Sequence, residues 1–438
     1  MLDRFSPSKK AYPAVSTRLR AAITDFQHRS RKQILSMDHA KGGPLAGLRI
    51  LDISTVLAGP LSATFLADLG AEVVKVEVPV TGDALRGLPP MKDGVPLWWK
   101  VANRNKKGIT LDLRKPKGQQ LFGKLLPRFD VLVENFRPGT LDRWDLDSER
   151  LFALRPGLIV LRLTGFGQTG PYRNKPGFAR VFESLSGFTH ICGEDGGAPL
   201  HMGFPISDAV AGLFGAVGIL SAMHHRLKNP QEPGQEIDLS ATEAMFRLLD
   251  FSAIEFDQLG TIRNRSGNFS QYSAPSNVYR TKDGQWASIA ASTQSIFERL
   301  VAVMGKPELL GDPRFASNPD RVRNRAAIDT IVANWIASRT MAEIVRDLDA
   351  AEVGFSPINS IDKVFEDPQF VARDAIVNVS DRELGVVKMQ NVVPRFTRTP
   401  GEVRSTGPTL GEHNAEIYGE WLDLSLEQRQ QLQSEGVI

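Results

Sequence analysis

A single cysteine, Cys192, stands in the 438-residue chain. One thiol forms no internal disulfide, which suits a reducing compartment and leaves Cys192 as an inert packing residue. Of the seven histidines only His224 and His225 are neighbours, and no metal-ligating constellation is visible. The formal net charge is only +3, too little to argue for a nucleic-acid partner. No apolar run follows Met1, which argues against a secretory signal. The longest weakly polar stretch, Ala209 to Met223, contains three glycines and is shorter than a membrane span requires. It reads as a buried helix, and no membrane association is expected. Internal repeats and low-complexity segments are absent. So are the phosphate-binding P-loop and the Gly-x-Gly-x-x-Gly fingerprint, because the turn Leu57-Ala58-Gly59-Pro60 has only one of the three glycines.

What is present is ordinary globular material. With 42% hydrophobic and 24% charged residues, the chain has apolar side chains enough for one large core and a smaller one. Charge is unevenly placed. Residues 1–44 contain nine Lys or Arg against Asp3, Asp25 and Asp38, so the remainder is slightly acidic. This basic extension reads as a solvated helix capped by Ser16 or Thr17, with Leu19, Ile23, Phe26 and Ile34 turned toward the body. A mitochondrial targeting segment is the alternative to a cytoplasmic protein.

From residue 45 the pattern is α/β. Leu48 to Ile53 is a short apolar run suited to a buried parallel strand, Leu61 to Leu69 a helix closed by Gly70, and Glu72 to Glu77 the next strand. Further strands are expected at Gly108 to Leu113, Val131 to Glu134 and Leu158 to Leu163, giving an open, mostly parallel, Rossmann-like sheet with helices on its faces. Near Ser266 the texture changes. Asn277 to Thr281 and Trp286 to Ala290 flank Lys282-Asp283-Gly284 as a hairpin, and helices follow at Ala326 to Ser338 and Met341 to Ala350. This is the signature of a second, smaller α+β domain. A polar helix is expected at the C-terminus, after His413.

Three loops at strand ends combine glycine with amide or arginine. They are Asn103 to Gly108, followed by Arg114; Glu134 to Gly139, with Arg143 one turn on; and Thr164 to Tyr172. Cations around a strand suit a ligand with several phosphates, although the same pattern describes a solvated edge. Asp208 begins the apolar helix after Gly203-Phe204-Pro205-Ile206-Ser207. By position alone it is an N-cap; a nucleophilic carboxylate is the alternative.

These segments resemble the class III CoA-transferases, the CaiB/BaiF family that includes formyl-CoA and carnitine CoA-transferases. The similarity runs from Leu45 to Asp52 through Ala58-Gly59-Pro60, Asp68 to Glu77 and Asn103 to Leu113. Val133 to Gly139, Gly165 to Tyr172, Asp367-Pro368-Gln369 and Pro408 to His413 continue it. Only the basic extension lies outside. The resemblance implies that Asp208 is the nucleophile, passing through an acyl anhydride and an aspartyl-CoA thioester. Thioester energy is conserved in such an exchange, so no tightly bound cofactor is implied; coenzyme A is itself a substrate. An acyl-CoA donor and a carboxylic-acid acceptor are the implied partners.

The same matching implies that Leu57, Ala58, Leu111, Arg114, Asn135, Phe136 and Arg143 hold CoA, with Arg137 nearby. Where some members place an arginine this chain has Val78, so Arg104 or Arg114 is expected to take its task. The glycine-rich flap of formyl-CoA transferases has no counterpart, since Ser266 to Ser276 contains only Gly267. A larger acid than formate or oxalate is therefore expected. The implied architecture is a large CoA-binding α/β domain of residues 45–250, an inserted small domain of 266–360, and a return to the large domain over 370–438. Two such chains would form an interlocked homodimer. Alternatives are an α-methylacyl-CoA racemase, an intramolecular CoA-transferase and a non-catalytic partner subunit. The racemase fits poorly, because Phe178 and Ala179 occupy the places of its histidine and aspartate and neither moves protons.

Overall fold

The structure, a computed structural model, describes residues 42–438; the helix expected around Leu19 to Ile34 lies outside them. Six strands form one sheet: β1 (Arg49–Asp52), β2 (Glu72–Glu77), β3 (Lys106–Thr110), β4 (Val131–Glu134), β5 (Ile159–Thr164) and β6 (Gln235–Ser240). All five pairings are parallel, in the spatial order β3-β2-β1-β4-β5-β6. Leu51 pairs with Val74 on one side and Leu132 on the other.

Alternation along these strands feeds two separate cores. Ile50, Val73, Val131, Val133 and Leu161 point to one face, where they meet Ala63 and Leu66 of α1 (Ala58–Asp68). Leu51, Val74, Leu132 and Val160 point to the other, against Leu121, Phe122 and Leu125 of α2 (Pro116–Leu125). The second core also takes in the chain end, with Ile417, Tyr418, Val437 and Ile438. Tyr418 donates its hydroxyl to the Thr110 carbonyl at 2.7 Å, and the Asp112 amide donates to Val437 at 2.8 Å.

Two further helices of the large sheet shape the site, α3 (Ala179–Leu185) and α4 (Ile206–Lys228); α5 (Ala241–Arg247) packs beside them. The α1–α4 contact depends on Gly215, where a Cβ would fall 2.3 Å from the Ser62 hydroxyl. Only a residue without a side chain permits that approach. α4 is longer than the stretch read from sequence, and at 23 residues it is long and apolar enough to cross a membrane by length and composition. It is buried on one face only, through Ala211, Gly212, Gly215, Ile219 and Ala222, which pack on α1 and β5.

A three-stranded antiparallel sheet of β7 (Ser276–Arg280), β8 (Trp286–Ala290) and β9 (Phe355–Pro357), ordered β9-β8-β7, gathers its own core of Tyr279, Ile289, Phe297, Leu300, Ile328 and Ile344. Strand β3 begins two residues before the expected Gly108, since Lys106 and Lys107 already pair with Val73 and Val74, and the Lys106 amine turns into the interior to Asp52. Strand β6 and the hairpin of β10 (Ile376–Asp381) with β11 (Gly385–Gln390) were not expected. Polar residues interrupt each of these strands, so none reads as an apolar run. The expected polar C-terminal helix is Leu426–Ser434, capped reciprocally by Ser425 and Gln428, and a wide turn, Ala415–Trp421, precedes it.

Candidate active site

The strand order reverses between β1 and β4. In an open parallel sheet the connections leaving two such strands diverge to opposite faces, and a crevice opens beyond their carboxyl ends. Asn135 bridges it. Its Oδ1 accepts the Thr55 amide at 2.7 Å, and its Nδ2 donates to the Thr55 carbonyl at 2.8 Å. Val56 follows with φ of 64°, a left-handed conformation that costs a β-branched residue roughly 1–3 kcal/mol. The strain is held by Asp83, whose two oxygens accept the Val56 amide at 3.0 and 3.1 Å.

Asp83 belongs to a buried charge network. Lys75 lies 3.4 Å from Asp83 and 3.9 Å from Asp52, and Lys106 lies 2.8 Å from Asp52. Burial works against the Asp52 charge, but Lys106 and Lys75 outweigh it and hold the carboxyl below its usual range. Lys106 is pushed down to about 8, burial prevailing over Asp52. Its amine also donates to Asn103 Oδ1 and to the Pro60 carbonyl. The loop from Thr55 into α1 is thus fixed from below by ion pairs and from the side by an amide. α1 itself starts at Ala58 with no side-chain cap, and Leu57 and Ala58 at its start line the crevice.

Two cavities meet at Thr55. One, of about 170 Å³, is lined by Leu57, Ala58, Asn135, Phe178, Phe182 and Asp208. The other, of about 270 Å³, is lined by Val78, Asp83, Leu111, Arg114, Phe136 and Trp144. Phe136 and Trp144 form one wall of it, ring centroids 5.0 Å apart.

Asp208 is the third residue of α4, not its cap; Pro205 precedes the helix and caps nothing by side chain. Its carboxylate accepts no hydrogen bond from any described residue. Burial, reinforced by the nearby Glu183 carboxylate, pushes it up to about 6. The Ser207 hydroxyl donates to the Ala179 carbonyl at 3.1 Å and ties this end of α4 to α3. The Phe182 ring fills the space above Gly165, where a Cβ would lie 2.3 Å from it.

The remaining expected residues divide. Leu57, Ala58 and Asn135 share the cavity of Asp208, while Leu111, Arg114 and Phe136 line its neighbour. Arg143 is exposed and donates to Thr140 at 2.9 Å, and Thr140 lines that second cavity. Arg137 is exposed. Arg104 is elsewhere. Its guanidinium is buried against Asp68, at 2.6 Å, and donates to the Gln390 carbonyl. Of the two arginines expected to replace the one absent at Val78, only Arg114 reaches the cavity that Val78 lines. Lys106 and Lys107 are also answered, by Asp52 and by the pair Glu72 and Glu416. Thr55, Asp83, Phe182 and Glu183 were not anticipated. Asp83 alone carried a usable signal, a carboxylate just beyond the carboxyl end of a predicted strand. Cys192 is partly exposed, and burial together with Glu183 pushes its thiol up, which keeps it protonated.

Comparison with known proteins defines the class. The profile described as CoA-transferase family III matches residues 45–414. The chain is 44% identical to succinyl-CoA–D-citramalate CoA-transferase of Chloroflexus aurantiacus over 90% of its own length and 98% of that protein's. It is 40% identical to the succinyl-CoA–L-malate CoA-transferase alpha subunit of Chloroflexus aurantiacus, covering 90% and 92%. The crystal structure of a CaiB/BaiF family protein from Brucella suis superposes with a TM-score of 0.78 at 33% identity, covering 87% of this chain and all of that one.

The chain belongs to CoA-transferase family III. It is an enzyme, and it transfers CoA between carboxylic acids.

Proposed function

We propose that the enzyme takes CoA from succinyl-CoA to a small dicarboxylic acid, with Asp208 as the covalent carrier. An Asp208 oxygen attacks the thioester carbonyl carbon. The C–S bond breaks, leaving a mixed anhydride and CoA thiolate. The thiolate then attacks the Asp208 carbonyl, releasing the donor acid as its carboxylate and leaving an aspartyl-CoA thioester. The acceptor repeats the sequence in reverse, which restores Asp208. Two reversible acyl exchanges replace one difficult transfer. The observation that carries the reading is the unpaired Asp208 carboxylate sharing one cavity with the uncapped start of α1. Amides aimed into a confined space stabilise the oxyanion that each attack creates. The relatives named for succinyl-CoA support the choice of donor.

CoA is proposed to lie along the second cavity, with Phe136 and Trp144 against it and Arg114 and Arg143 toward its phosphates. A second copy of the chain is the proposed cover for α4. Leu213, Val217 and Leu220 form an exposed apolar stripe at helical spacing, and Phe178 beside the site is 77% exposed.

The test is to incubate the purified protein with succinyl-CoA and a panel of carboxylic acids and identify new CoA esters by mass spectrometry. Hydroxylamine added during turnover should convert Asp208 to its hydroxamate, with acyl-CoA required. Transfer accompanied by labelling of a different carboxylate would overturn the assignment.

A further inference from the structure

Glu183 is buried to 1% on α3, one residue beyond the Phe182 ring that lines the Asp208 cavity. Its Oε2 meets His201 Nδ1 at 2.9 Å, whereas its Oε1 is buried with no partner. An unanswered oxygen in a packed interior is costly, on the order of 1–3 kcal/mol or more for a charged group. Nothing in the packing requires it. Leucine or methionine would fill a similar volume at a helix–helix contact without that cost.

We propose that Glu183 is a positioning residue for the transfer reaction: its buried carboxylate, held by His201 beside the start of α4, supplies the negative field in which Asp208 reacts. This rests on the reading of Asp208 as nucleophile. Like charges close together in a medium of low dielectric destabilise one another. When the Asp208 oxygen bonds to the thioester carbon, its carboxylate becomes a neutral anhydride and the repulsion with Glu183 disappears. The CoA thiolate takes up the charge at a different place. The field thus raises the ionised reactant more than the acylated enzyme and favours attack.

Other titratable groups around Glu183 do not substitute for it. His201 and Cys192 come from the segment between α3 and α4. Arg180 on α3, His190 after it, and Glu243 and Arg247 on α5 are exposed. Glu183 is the buried carboxylate that the α3–α4 contact, tied by Ser207 to the Ala179 carbonyl, brings beside Asp208.

The experiment follows hydroxamate labelling of Asp208, and kcat/KM, against pH. Asp208 must be ionised to attack, so the wild-type acid limb should lie near pH 6. Glu183→Gln and Glu183→Met should each move that limb to lower pH. Glu183→Asp, which keeps the charge, should restore it. Labelling that persists with an unmoved limb in either folded variant overturns the inference, and so does a wild-type limb near pH 4. A wild-type protein that transfers CoA without labelling Asp208 would instead overturn the assigned nucleophile.

Discussion

On one side of the Thr55–Asn135 bridge, Lys75 and Lys106 face Asp52 and Asp83 at 3.9 Å or less, and every one of these charges is answered. On the other, Asp208 and Glu183 lie near each other with no lysine or arginine paired to either among the described residues. Both regions are buried and both touch the same short loop, yet they do different work. Opposite charges hold a strained backbone still, so that the start of α1 points where it must. Like charges leave a carboxylate poorly stabilised, which is useful only where that carboxylate has to react.

The largest test of this contrast removes the reactive half. Asp208→Ala should abolish CoA transfer while leaving the dissociation constant for acyl-CoA within a few-fold, because the loops that hold the nucleotide are untouched. Steady-state exchange and equilibrium binding measure the two separately. Transfer at the wild-type rate would remove Asp208 from the mechanism.

The paired half should fail differently, through stability. Asp83→Ala leaves Lys75 with the more distant Asp52, Glu77 and the Ser54 carbonyl, and frees the Val56 and Leu85 amides. Breaking one partner of a buried ion pair costs about 3–5 kcal/mol. Asp83→Asn, which keeps an acceptor for Val56, should lose less. Urea unfolding reads both. A loss below about 1 kcal/mol for the alanine variant would show that Asp52 and Glu77 suffice to neutralise Lys75.

The same contrast explains what could be read in advance. Strands β1, β2, β4 and β5 are mostly apolar because both their faces are covered, and such runs are visible in a sequence even where Lys75 and Arg162 interrupt them. Strand β6, Gln235–Ser240, sits at the sheet edge with polar residues outward and gives no such run. Asp208 was singled out through family resemblance alone, since its position in the sequence suggests only a helix cap. Arg104 was misplaced for a physical reason: a cation beside a glycine-rich loop looks free until Asp68, thirty-six residues away, is found against it. Glu183 has no local signature at all. Its role depends on α3 packing against the start of α4, a contact between elements separated by a long loop.

The smallest effects belong to the outer rim, where two arginines were expected to act alike. Arg143 has no carboxylate partner among the described residues and contacts only Thr140. Arg114 is already engaged by Asp112, with Nε to Oδ1 at 2.7 Å and Nη2 to Oδ2 at 2.9 Å, and its side chain is 61% exposed. A phosphate approaching Arg143 gains a charge-assisted contact outright, so Arg143→Ala should weaken acyl-CoA binding by about 1.5–3 kcal/mol. One approaching Arg114 must share the guanidinium with Asp112 in a solvated setting, where an ion pair contributes about 1 kcal/mol or less. Arg114→Ala should therefore cost less than Arg143→Ala, by calorimetric titration with a non-reactive CoA thioether. Equal losses would mean that Arg114 leaves Asp112 when the ligand binds. Unchanged affinity in both variants would place the nucleotide away from the Phe136 and Trp144 wall.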